Sequence, residues 1–247
     1  MKTLILMKLK IFFKGYAYTI IAPIISAVIF IVVLKTISEF YNLKTDNIDF
    51  INFVVPGIII MIVIQESFSN ISENMIHMKQ QGTFNDILIS PISRIEIGIS
   101  FIISILFIGI FIAFINLLII SLFVEIYLFN LSRFIFYLSL SSIVFGSIGA
   151  IVGFMSYTWD MQQSFFNFII SPISLLSGSF FSIDIIDENW KNFFLYNPVY
   201  HLISNFRNSF IDGNIYLFKL DFFLIIICFS VFCISLYIFK KGYKVIY

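Results

Sequence analysis

Residues 97–124 read IGISFIISILFIGIFIAFINLLIISLFV, with no charged side chain among them. A membrane-spanning helix needs about 20 mostly apolar residues, and a charge at mid-bilayer costs about 3 kcal/mol or more. An uninterrupted run of this length therefore marks a chain that crosses a bilayer. Working outward, charge-free runs also occupy residues 15–34, 50–65, 134–159, 161–183 and 222–239. The run 50–65 is short, but Gln65, Glu66 and Ser67 extend it into the headgroup layer. The pattern predicts an all-α integral membrane fold with six spans, at about 16–37, 50–69, 97–122, 134–157, 163–182 and 221–239.

Composition agrees. The 247 residues are 60% hydrophobic and 12% charged, where an ordinary globular domain has about 25% charged residues. A soluble core of this size could not hide so much apolar surface. A soluble enzyme, a nucleic-acid binder and a disordered chain are excluded together. The 33 phenylalanines fit a coding bias and carry no functional weight.

The short charged stretches set the organisation. Residues 2–14 mix Lys2, Lys8, Lys10 and Lys14 with apolar residues, the pattern of a helix lying in the interface with lysines among the headgroups. With Lys240, Lys241 and Lys244 they place both termini on the cytoplasmic side. Between the fifth and sixth spans, 192–206 is charge-free yet too short and too polar to cross, holding Asn197, Pro198, His201 and Asn205. Broken backbone at membrane depth is tolerated only under a cover of protein or beside water. Residues 184–219 are therefore expected to form an extracytoplasmic, partly re-entrant cap. Asn197-Pro198 should break it into two short helices. Arg207 is then placed to bond carbonyls or to pair with Asp184, Asp187 or Glu188, because a half-buried guanidinium needs a partner.

Inside, Thr83 with Asp86 resembles a capping box, and Pro91 cannot continue a helix begun there. Together they predict a cytoplasmic helix at 84–90. One side of it would show Phe84, Ile87 and Leu88, an apolar face that calls for a partner or a membrane surface. In the fourth span, Gly149 and Gly153 form a GxxxG that packs against protein. Ser171-Pro172 can kink the fifth.

Several chemistries have no residues to carry them. No GxxxxGK[ST] run and no HExxH occur, and His77 and His201 stand far apart. A secondary transporter or channel would need a midplane ionisable group, which the first, third, fourth, fifth and sixth spans lack. A membrane-embedded enzyme would draw on Asp184, Asp187 and Glu188 outside, or on Glu66 and Glu73, seven residues apart on one helix face. No histidine joins the outer trio at ligand spacing, so no metal, catalytic or cofactor site is expected in this chain.

Three elements in order carry a resemblance. They are Phe53-Val-Val-Pro56-Gly57-Ile-Ile-Ile-Met61, then Gly82-Thr-x-x-x-Ile-Leu-x-Ser-Pro91-Ile-Ser. The third is Ser171-Pro172-x-x-x-Leu176-Ser177-Gly178-x-Phe180-Phe181, followed by Trp190 and Tyr196-Asn197-Pro198-Val199-Tyr200 ahead of Phe206-Arg207. This order resembles the ABC-2-type transporter permeases, nearest the small bacterial inner-membrane permeases of nodulation-factor, drug and polysaccharide export. The resemblance implies a half-transporter of the cytoplasmic membrane. Two permeases, a homodimer or a pair of paralogues, would form the pathway, and a separate ATPase subunit would bind ATP and Mg. It makes Gly82, Thr83, Phe84, Asp86, Ile87, Leu88 and Pro91 the ATPase-coupling element, with the 157–163 turn as a minor contact. Pro56, Gly57, Pro172, Gly178, Trp190, Asn197, Pro198 and Arg207 would belong to the pathway and outer cap. Gln80 and Gln81 stand where a charge is common in the family.

Overall fold

A backbone that enters lipid must satisfy its own hydrogen bonds, and the apolar runs do so as helices. The computed structural model describes residues 1–45, 48–182, 188–211 and 219–241. After α1 (Lys2–Lys14) comes a π turn, Ala17–Ile21, and then α2 (Ala22–Tyr41). A minimal ladder comes next, β1 (Lys44–Thr45) against β2 (Ile48–Asp49), antiparallel. The chain continues through α3 (Phe50–Gln80), α4 (Thr83–Ile89), α5 (Arg94–Ile120), α6 (Leu131–Met155) and α7 (Trp159–Phe165). A second π turn, Phe166–Ile170, leads into α8 (Ser171–Leu176), α9 (Glu188–Leu195), α10 (Pro198–Ile211) and α11 (Lys219–Lys241).

Five helical stretches among the described residues are long and apolar enough to cross a membrane. They are Thr19–Tyr41, Phe50–Gln80, Arg94–Ile120, Leu131–Met155 and Asp221–Lys241. The protein is a multi-pass integral membrane protein. Side-chain caps start several helices: Ser93 and Glu96 close a reciprocal capping box on α5, and the Asn130 side chain accepts from the Arg133 amide on α6. The centre of the fold is α3 against α6, with α5, α10 and α11 around them. Small residues set that contact. A Cβ on Gly149 would lie 2.4 Å from the Phe68 carbonyl oxygen, so the two backbones approach as closely as glycine allows.

Four expectations change. The second helix, expected to end near 69, runs on to Gln80 without a break. After Gly57 no glycine or proline stands in its way until Gly82, whose φ of +74° is the left-handed geometry that stops a helix. The N-cap of α4 is thus Gly82 rather than Thr83, and the Thr83 hydroxyl donates back to the Met78 carbonyl at 3.4 Å. The helix expected at 163–182 occupies 159–176 instead, with a π turn within it. Beyond it stands Gly178, again left-handed at φ +83°. Finally, Lys8 does not face the headgroups. It is buried, with Nζ 2.9 Å from the Met78 sulfur and 4.0 Å from the centre of the Phe101 ring. Burial pushes its ammonium down to about 7. Phe12 and Phe13 meet Phe111 edge-on beside it, so α1 is docked on α5.

Candidate functional site

Three places hold the sequence-predicted residues. The first is the end of the fold built around α4. Phe84, expected to face outward, is 1% exposed and packs edge-on against Phe154 of α6, with ring centres 5.6 Å apart. Ile87 is half-buried against the same core, and the apolar side chain that projects is Ile89, 83% exposed. Asp86 is exposed, and the side chain of Leu88 lies outside the described residues. Pro91 follows Ser90, whose extended backbone ends the helix.

This corner is fastened to α6 by a residue that sequence reasoning passed over. Lys79 donates to the carbonyls of Gly153, Phe154 and Ser156 at 2.7, 2.6 and 3.1 Å. Those carbonyls lie at the C-terminal end of α6, where a cation satisfies orphan acceptors and opposes the helix dipole. Trp159 Nε1 donates to Gln80 Oε1 at 2.8 Å, and Gln162 Nε2 to the Ser72 hydroxyl at 3.1 Å. The 157–163 turn and the stem of α4 are therefore one assembly. The visible signal was a lysine near the end of a long apolar helix.

The second place gathers most of the residues expected in the pathway and outer cap. Arg207, on α10 and 5% exposed, donates from Nε to the Phe53 carbonyl at 2.8 Å. Its Nη2 reaches the Gly178 and Ser179 carbonyls at 2.7 and 3.2 Å. Its guanidinium centre also sits 3.7 Å from the centre of the Phe53 ring. Gly57 lies one turn below Phe53, and a Cβ there would come 2.3 Å from the Ser179 carbonyl oxygen. Pro56 precedes it inside α3 and has no amide hydrogen for the Asn52 carbonyl. Asn197 Nδ2 donates to the Ser177 hydroxyl at 2.9 Å, while its Oδ1 accepts from the Val199 amide at 2.9 Å. That cap starts α10, with Pro198 as its first residue. One knot thus ties α3, the 177–182 turn and α10. Asp184 and Asp187, named as partners for Arg207, and the side chains of Glu188 and Trp190 lie outside the described residues. A further buried contact escaped the sequence: Tyr137 donates to Asp221, which also accepts from Asn205 at 3.3 Å.

The third place is a cavity of about 480 Å³ between α2, α3 and α8. Both outer walls use one local device. In each, a π turn is followed at once by proline in the first α-helical turn: Ala17–Ile21 before Pro23, and Phe166–Ile170 before Pro172. Proline cannot donate to a carbonyl four residues back, and π pairing accommodates that gap. Gln65 and Glu66 come to this cavity from α3, well inside a continuous helix and not at the end of one. Gln65 Nε2 donates to the Ser174 hydroxyl at 2.8 Å. Among the described residues no group of three His, Cys, Asp or Glu side chains could hold a metal ion.

Apolar spans, a small helix at one face, and proline- and glycine-bearing turns bonded by arginine define a multi-pass helical membrane protein. The family model described as ABC-2 type transporter matches residues 1–211, and the chain belongs to that family. The inner membrane transport permease YadH of Escherichia coli (strain K12) is 23% identical over 207 residues, covering 82% of this chain and 79% of YadH. The proteins of that name in Escherichia coli O157:H7 and Shigella flexneri align with the same identity and coverage. The chain is a membrane transporter subunit.

Proposed function

We propose that this chain is the permease subunit of an ATP-driven exporter of the bacterial inner membrane. Two copies, or one copy and a paralogue, form the pathway, and a separate ATPase subunit binds ATP and Mg and supplies the energy. Residues 1–247 act as one transmembrane domain with both termini cytoplasmic. The helical stretch 159–176 serves as the sixth span, and 184–219 as the outer cap. Gly82 to Pro91 form the coupling element, in which α4 enters a groove of the ATPase.

The observation that carries this reading is the pairing of a buried and a projecting residue on α4. Phe84 anchors the helix to α6, while Ile89 is presented to whatever docks there. We take Ile89, on the short helix beyond the spans, as the point of contact for a protein partner. The permease is to be co-expressed with a candidate ABC ATPase subunit, purified as a complex, and assayed for ATP hydrolysis in lipid. Ile89→Asp should abolish co-purification and stimulated hydrolysis while membrane insertion is unchanged. Normal association of that variant would refute the coupling role. Glu66, now inside a span, favours a second reading as a secondary transporter; transport by liposomes holding the permease alone would support it.

A further inference from the structure

The cavity between α2, α3 and α8 combines an apolar wall with one acidic group. Phe30, Ile58, Met61 and Phe180 line it, and Glu66 stands among them. The neighbouring Gln65 amide is already engaged with Ser174. Among the described residues the ion pair present is Lys35–Glu39, at 3.7 Å, and neither a cation nor a hydrogen-bond donor reaches the Glu66 carboxylate. A carboxylate facing apolar walls is costly until a proton or a counter-charge joins it, and a bound cation can take the proton's place. Glu73, one seven-residue step along the same helix face, adds charge of the same sign.

The occupant that satisfies both features has an apolar body and a positive charge. The volume of about 480 Å³ falls within the range of about 300–1,000 Å³ usual for small-molecule sites. The rings of Phe30 and Phe180, packed edge-to-face with centres 5.4 Å apart, offer π surface to a cation. We infer that this cavity is a binding site for lipophilic cations, with Glu66 as the counter-charge that selects them. A cation with dispersed charge suits it best, since the wall around Glu66 offers few hydrogen-bonding groups. The inference rests on the transporter reading for its purpose, but binding itself needs no ATPase.

The test uses the full-length permease in phosphatidylcholine nanodiscs and radiolabelled tetraphenylphosphonium, with uncharged triphenylphosphine oxide as competitor. Saturable binding is expected. Glu66→Gln should weaken it by about tenfold or more, as removal of a desolvated charge partner does. Glu66→Asp should largely preserve it. Ser26→Trp, which fills the cavity from α2, should abolish it without touching the charge. Equal affinity in the wild type and Glu66→Gln would overturn the site, and so would effective competition by the phosphine oxide. Absence of saturable binding, with a lipid chain or a second copy occupying the groove, would overturn it too. If Glu66→Gln fails to fold, Glu66→Asp and the uncharged competitor still decide. Loss of ATPase association with cation binding intact would overturn the exporter reading alone.

Discussion

Replacing Arg207 by alanine removes a buried fork from three carbonyls at once. Those carbonyls belong to Phe53, Gly178 and Ser179, on two separate segments that Gly57 allows to touch. Hydrogen bonds between membrane helices average about 0.6 kcal/mol each by double-mutant cycles, so three give about 2 kcal/mol as a floor. Bonds to a charged donor reach about 1.5–3 kcal/mol, and two of these are short, at 2.7 and 2.8 Å. The desolvated contact with the Phe53 ring adds about 1–2 kcal/mol. The total loss is therefore at least about 3 kcal/mol, or about 6 °C or more in melting temperature at about 2–4 °C per kcal/mol. The assay is thermal unfolding of the detergent-purified protein followed by size-exclusion fluorescence. Arg207→Lys should fall between, since lysine lacks the planar fork. Lys10→Ala, at an exposed position on α1, is the control. Equal melting temperatures for Arg207→Ala and Lys10→Ala would refute the role of the arginine in holding the knot.

Two other perturbations have defined outcomes. Gly149→Leu should force α3 and α6 apart and cost about 1–3 kcal/mol or more, read as lowered expression and melting temperature; wild-type values would contradict the close contact with Phe68. Lys8 titrates at about 7 in the folded chain against about 10.4 unfolded, so between those values the unfolded state binds more protons and stability rises with pH. Docking of α1 should therefore tighten from pH 7 to pH 10, read as slower trypsin cleavage of the N-terminal helix after allowance for the protease's own pH profile. Lys8→Met should remove the slope, and a slope unchanged in that variant would exclude Lys8 as its source.

The spans were legible because a charge in lipid is expensive, so gaps between charges mark helices in one dimension. Contacts made in three dimensions were not legible. Arg207 visibly needed partners, but the Phe53 carbonyl stands 154 positions away and became one only through packing. Phe84, Ile87 and Leu88 read as an outward face because they share one side of a short helix outside the spans. Which of them meets α6 depends on where Phe154 comes to rest. Glu66 read as a headgroup residue because it ended a charge-free run, and only the continuation of α3 to Gln80 carried it indoors.

The Lys79 fastening has a mechanical consequence. With its ammonium held by the last carbonyls of α6, and Gln80 held by Trp159, α4 cannot shift without carrying α3 and α6 along. Those two helices are already locked together at Gly149, so α4 is tied to a 31-residue helix and its closest neighbour. The weak seam lies elsewhere. The membrane-spanning part of α2 is mostly uncovered by the rest of the chain, and the space between it and α3 is the cavity that holds Glu66. α3, α4 and α6 are joined as one block, and the gap beside that block is the one lined by an acidic side chain.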